Sequence, residues 1–308
     1  MLAVHQAADG GLARVRVPGG RLTTKQLDVL RLAAADLGDG RLELTSRGNV
    51  QLRGLRADGP QDLSDRLFAA GLLPSIAHER VRNILASPLS GLDQQSRYDV
   101  LPVATALDQA LCDRPALADL PGRFLFALDD GRGDLAELAA DVAVRALDER
   151  TALLSLGTLG VRVVWEVVPE LMLAAAEAFL AVRDQEWRIG EVARGEELIL
   201  ERLGLRATEV LPTDTTRVVA GVHGAALVVT VPLGSLTQEQ AAVLVQVGDE
   251  VRITPWRSVV VPAGSTGLEE VGLVTAPGSV WEGVTACAGQ PGCAKALADV
   301  RADATRLL

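Results

Sequence analysis

Aromatic side chains make up only 3% of this 308-residue sequence, so it offers little on which the bases of a nucleic acid could stack. A net charge of −10 argues against the same partner. Cysteine is equally scarce. Cys112, Cys287 and Cys293 are too few to build a disulfide framework in a chain of this size. No stretch reaches the roughly 18 uninterrupted apolar residues of a membrane span, and the opening MLAVHQAADGG lacks the basic and apolar regions of a secretory signal. The expectation is a cytoplasmic protein with no membrane or nucleic-acid partner. Neither a P-loop nor a G-x-G-x-x-G after a strand occurs, so nucleotide binding within the chain has no support.

Apolar residues, by contrast, amount to 48% of the chain, enough for two or more packed cores. The charge is uneven: residues 1–56 hold nine Lys/Arg against five Asp/Glu. A polyanionic ligand would prefer that part, although a merely lumpy surface charge reads the same way.

An internal repeat organises the chain. Alternation over Ala13–Val17 marks a half-buried strand, Pro18–Gly20 ends it, and Leu22–Thr23 lead into a helix with Leu27, Leu30 and Leu32 inward. Gly38–Asp39–Gly40 stops the helix. A strand from Leu42 is interrupted at Ser46–Asn49 and resumes at Val50. Near Ala226 the pattern returns: Leu227–Pro232 answer the first strand, Leu236–Gln240 answer Leu22–Gln26, and Ile253–Arg257 answer Leu44–Gly48. Such widely separated copies point to duplicated half-domains rather than a solenoid. Between them, helices are expected over 63–72, 105–111 and 170–183, and strands over 124–128, 152–156 and 161–165.

Three constellations carry chemistry. In Leu44–Arg53, period-2 alternation puts Arg47, Asn49, Gln51 and Arg53 on one strand face. Guanidinium and amide donors in such a row suit a ligand with several carboxylates, and they equally suit a solvated sheet face. In His78–Gly91, Arg80 and Arg82 could extend the same anion site. In Val284–Leu297, Cys287 and Cys293 are separated by five residues including Gly289, Pro291 and Gly292, and a helix expected after them would favour thiolate. A redox or structural pair and half of a metal–sulfur site both fit. Cys112, in a Leu/Ala-rich helix, reads as a small buried hydrophobe. His5, His78 and His223 read as surface or hydrogen-bonding residues, and Asp129–Asp134 as a turn.

These constellations, in this order and with the duplicated Pro-x-Gly-x-Leu-Thr-x-x-Gln element, resemble the sulfite/nitrite reductase superfamily along nearly the whole chain. Thr254–Pro262, Leu120–Asp130 and Thr285–Asp299 are most similar to its precorrin-3B synthase branch. The resemblance implies an α/β (α+β) fold in which ferredoxin-like half-domains (1–72 and 218–270) pair about a pseudo-two-fold axis, with a tetrapyrrole domain (73–217) and a partial Fe–S domain (271–308). It implies catalytic roles for Arg47, Arg82 and Arg123. Thr45, Asn49, Gln51, Arg53, Arg80, Asn83 and Arg257 would contact the tetrapyrrole. Cys287 and Cys293 match the first pair of the family's C-x5-C…C-x3-C motif for a [4Fe–4S] cluster, and no second pair follows in this sequence.

The reaction implied is O₂-dependent hydroxylation of precorrin-3A to precorrin-3B with lactone formation, using an external electron donor, with non-haem iron as a further implied cofactor. Reductases carry Lys-x-Lys where this sequence has Arg123–Phe124–Leu125, which makes sirohaem-dependent sulfite or nitrite reduction the alternative. A non-catalytic tetrapyrrole-binding remnant or partner subunit is a third reading.

Overall fold

The computed structural model describes residues 3–212 and 214–307, in two compact units: residues 1–79 with 219–308, and residues 80–218. The first copy of the repeat supplies β1 (His5–Ala7), β2 (Gly10–Val15), β3 (Arg21–Thr23), α1 (Thr24–Leu37), β4 (Leu42–Leu44), β5 (Val50–Leu55) and α2 (Gly59–Ala69). Thr23 starts α1 through a capping box: its Oγ1 accepts from Gln26 N–H at 3.1 Å, and Gln26 Oε1 accepts from Thr23 N–H at 3.0 Å. Leu27, Leu30, Ala33, Ala34 and Leu37 form the buried stripe of α1. Leu32 was expected inward and is 41% exposed, because residues two positions apart on a helix lie about 200° from each other around its axis and Leu30 already faces the core.

The second unit holds β6 (Ile84–Ala86), α3 (Leu101–Cys112), β7 (Phe126–Asp129), β8 (Val142–Ala146), β9 (Thr151–Leu156), β10 (Leu159–Val164), α4 (Val168–Val182), α5 (Gly195–Arg202) and β11 (Glu209–Val210). Its mixed sheet runs β11-β10-β9-β8-β7-β6, parallel across β6, β7 and β8 and antiparallel beyond. The expected strand at 124–128 starts later, at Phe126, and Phe124 instead packs edge-on against Phe126 with centroids 5.1 Å apart.

The chain then returns to the first unit with β12 (Gly221–His223), β13 (Ala226–Thr230), β14 (Ser235–Leu236), α6 (Gln238–Leu244), β15 (Glu250–Ile253), β16 (Ser258–Pro262) and α7 (Val300–Leu307). Thr237 and Gln240 rebuild the capping box of the first copy. The two sheets exchange strands: β3 closes β12-β13-β16-β15, and β14 closes β1-β2-β5-β4. Leu22 sits opposite Val251 and Leu236 opposite Leu42, so each copy buries a leucine in the other's sheet. Burying such a side chain contributes about 1.5–3 kcal/mol.

Gly20, just before β3, has φ +70°, and a Cβ built there would lie 2.1 Å from the carbonyl oxygen of Ile253. Gly20→Ala is expected to cost at least about 2 kcal/mol, through left-handed strain and displacement of β3 from β15. Urea denaturation checks it; a loss below about 0.5 kcal/mol would contradict this packing.

Candidate functional site

Arg47 and Arg257 lie in matched turns of the first unit. In the β4–β5 turn, Thr45 N–H donates to the Asn49 carbonyl at 3.0 Å, and Thr45 Oγ1 accepts from the N–H groups of Arg47 at 3.3 Å and Asn49 at 3.1 Å. In the β15–β16 turn, Thr254 N–H donates to the Ser258 carbonyl at 2.9 Å, and Thr254 Oγ1 accepts from Trp256 and Ser258 N–H, both at 3.2 Å. Thr254 thus repeats Thr45, and Trp256 stands where the first copy has Arg47. Arg257, at φ +60°, occupies the place of Gly48, at φ +62°. An L-residue there carries roughly 1–2 kcal/mol of strain, so the second copy keeps a half-buried arginine at a position better suited to glycine.

The rest of the polar row is used inside the unit. Asn49 Oδ1 accepts from Val17 N–H at 2.9 Å. Gln51 Nε2 donates to Glu43 at 3.0 Å, and its Oε1 accepts from Arg14 at 3.2 Å. Arg53 directs Nε and Nη2 at the Asp9 carboxylate, both at 3.0 Å, and Nη2 also donates to the Gly292 carbonyl at 2.6 Å. Carboxylates likewise meet Arg21, Arg31 and Arg56, which neutralises much of the N-terminal positive surplus locally.

Cys287 is exposed and Cys293 half-buried, both on an irregular loop. The helix expected directly after them begins only at Val300, since residues 293–299 form turns; the helix-start argument for thiolate character therefore falls away. A cavity of about 770 Å³ in this unit is bounded by Asp9, Glu43, Arg53, Ser235, Gly292 and Arg301. Two thiols are half of the four thiolates a [4Fe–4S] cluster takes. Cys287 and Cys293 have the donor chemistry of two such ligands, and Cys112, the third cysteine, ends α3 in the other unit.

In the second unit, Arg82 forks onto Asp108 of α3, with Nε–Oδ1 and Nη2–Oδ2 both 2.7 Å. Asn83 is buried, and its Nδ2 donates to the Gly122 carbonyl at 3.1 Å. Arg80 is exposed. Arg123, also exposed, lies over the ring of Trp187 at 5.8 Å. Buried Asp141 ties the two segments together, accepting from Leu125 N–H at 2.9 Å and from Arg188 Nε at 2.7 Å. Leu125 itself is 3% exposed, so no cationic side chain stands at the second position of the Lys-x-Lys pattern. Burial, with the charge of Asp108 adding to it, pushes the Cys112 thiol up to about 11 and keeps it protonated at neutral pH.

The segment expected to be a simple turn, Asp129–Asp134, proves to be a buried charge cluster. Arg132 donates Nε to Asp130 at 2.9 Å, and its Nη1 and Nη2 reach the two oxygens of Asp93 at 2.9 and 2.8 Å. Oxygens of Asp129, Asp130 and Asp134 lie within 4.8 Å of one another. Sequence reasoning missed Asp9, Glu43, Asp93, Asp108 and Trp187. A usable signal existed for Glu43, a lone charge between Leu42 and Leu44.

Residues 5–70 match the Nitrite/Sulfite reductase ferredoxin-like half domain. The match spans the first copy of the repeat. The half domain is the strand–helix–strand unit carrying Arg47 and Arg53. The chain is 28% identical to the "Precorrin-3B synthase" of Sinorhizobium sp over 98% of its own length and 71% of the relative's. It is 34% identical to the "Ferredoxin--nitrite reductase" of Synechococcus elongatus over 39% of its length and 25% of that protein's. The fold matches that of the NirA protein of Mycobacterium tuberculosis with a TM-score of 0.79 at 21% identity, over 96% of this chain and 63% of NirA. The chain therefore spans about two thirds of the length of its long relatives. No helix among the described residues is long and apolar enough to cross a membrane.

Proposed function

We propose that this chain is an oxidoreductase acting on a tetrapyrrole, a precorrin-3B synthase-like monooxygenase. The observation that carries the reading is the likeness to the Sinorhizobium protein along 98% of this chain. Buried Leu125 favours it over a sirohaem-dependent reductase, because the reductases' second lysine has an apolar core residue in its place. In the proposed reaction one atom of O₂ enters a meso position of precorrin-3A, the other leaves as water, and an external donor supplies two electrons while solvent supplies two protons. Cys287 and Cys293 would contribute two thiolates to an iron–sulfur centre, whose chemistry is to pass single electrons.

Within the first unit, Arg47 and Arg257, with the polar atoms of Thr45, would meet substrate carboxylates. Within the second, Arg80 would meet a carboxylate and Arg123 would flank the reacting carbon. Arg53 and Arg82, with their forks on Asp9 and Asp108, would act by holding the elements around them, together with Asn49, Gln51 and Asn83.

Incubation of the full chain with precorrin-3A, a reductant and ¹⁸O₂ tests the reading: one labelled oxygen in the product is expected, whereas an unlabelled tetrapyrrole together with turnover of sulfite or nitrite would overturn it. Arg47→Met is expected to weaken precorrin-3A binding about tenfold or more, as removal of a charged hydrogen-bond donor does. An unchanged Kd counts against the assignment.

A further inference from the structure

We infer that Arg53 and Arg301 are positioning residues that clamp the Cys287–Cys293 loop to the first half-domain's sheet, each joining a carboxylate of that half-domain to a backbone carbonyl of the loop. Arg53, on β5, holds Asp9 in a two-bond fork and donates to the carbonyl of Gly292, the residue before Cys293. Arg301, on α7, pairs with Glu43 of β4 at 2.6 Å and donates Nε to the carbonyl of Cys287 at 3.1 Å. The clamp thus reaches Cys287 through its own carbonyl and Cys293 through the carbonyl of the residue before it, which leaves both thiols out of the clamp.

Three features make this a built arrangement rather than two chance contacts. The Arg53 and Glu43 side chains are mostly buried, at 8% and 11% exposure, so their charged bonds are screened little by water. Glu43 is held in turn by Gln51 and Gln51 by Arg14, a chain that runs across the sheet. A Cβ at Gly292 would lie 2.9 Å from Asp9 Oδ2 and 3.0 Å from Arg53 Nη2, so a side chain there would push the fork itself aside. The loop's own bonds, Cys293 N–H to the Gly289 carbonyl at 2.8 Å and Gln290 N–H to the Ala298 carbonyl at 2.9 Å, fold it locally without tying it to the sheet. The two arginines supply that tie. The row of donors expected to grip substrate carboxylates therefore has a second use at its far end, where it fixes the spacing of two metal-ligating residues. This assignment rests on the proposed ligand role of the cysteines only for its purpose, not for its geometry.

Hydrogen exchange by mass spectrometry on the full chain tests it without activity or metal. Arg301→Met should speed exchange around Cys287, and Arg53→Met and Gly292→Ala should speed it at 292–293, each by at least about tenfold, with β13 and β16 still protected. Arg301→Lys should recover only part of the protection, since an ammonium cannot serve Glu43 and the carbonyl with the same planar fork. Wild-type exchange of the loop in Arg301→Met and Gly292→Ala would overturn the clamp. If Arg53→Met unfolds the sheet, Arg301→Met decides, because its site lies on α7 and not in the sheet. Iron and sulfide retained by the reconstituted wild-type chain report separately on the ligand reading: their absence sinks that reading and leaves the exchange result standing.

Discussion

Arg132→Met is expected to lose about 3–5 kcal/mol of stability, the largest loss expected of any single substitution considered for this chain. The guanidinium is 2% exposed and its partners Asp130 and Asp93 are 0% and 9% exposed. Burial works against the charged Asp93 carboxylate, and the hydrogen bonds and charge of Arg132 outweigh it, leaving its pKa below the ordinary range. Methionine of similar length fills the space and strands two carboxylates away from water. Arg132→Lys should recover only part of the loss, since one ammonium cannot serve both carboxylates bidentately. Urea denaturation is the measurement. A loss under about 1 kcal/mol would mean that water reaches Asp130 and that the cluster is open.

A second large effect concerns pH. Desolvation, followed by the neighbouring charge of Asp129, raises Asp134 to about 8, while Ser87 donates to its Oδ1 at 2.6 Å. Its other oxygen is buried without a hydrogen-bond partner among the described residues, as suits a carboxyl group that keeps its proton beside Asp129. The folded state then holds a proton that the unfolded chain releases near its ordinary value of 3.8. Stability contributed by this group is fully present below about pH 4 and is lost as pH rises toward about 8. Asp134→Asn retains an acceptor for Ser87 and a donor toward Asp129 without the ionisation. It should match the wild type near pH 4 and exceed it by on the order of 3–5 kcal/mol at pH 8. Parallel stability curves for the two proteins across that range would contradict the protonated carboxyl.

Much of the half-domain architecture was legible because its signals are local. The Thr23–Gln26 and Thr237–Gln240 capping boxes, the Gly38–Gly40 stop and the repeated threonine turns depend on residues within a few positions of one another. Alternation located the row from Arg47 to Arg53 and could not say what it faces, since Asp9 and Gly292 reach Arg53 from distant parts of the chain. The Asp129–Asp134 segment misled for the same reason: Gly131 and Gly133 announce a turn, and the burial that turns three aspartates into a charge cluster comes from residues such as Ser87 and Asp93. Leu32 shows the limit of counting leucines, because a helix face is set by angle and not by residue type.

The strand exchange has a consequence for how the molecule is made. Arg21 and Glu250 pair across 229 residues of chain, so β3 emerges from the ribosome long before the strand that completes its sheet. Closing so long a loop is entropically expensive, and contacts of such separation form slowly. The inserted unit from 80 to 218 has its own core and can condense while β3 waits. Synthesis order therefore predicts that the unit from 80 to 218 gains amide protection before β3 pairs with β15, which pulsed hydrogen exchange during refolding would reveal.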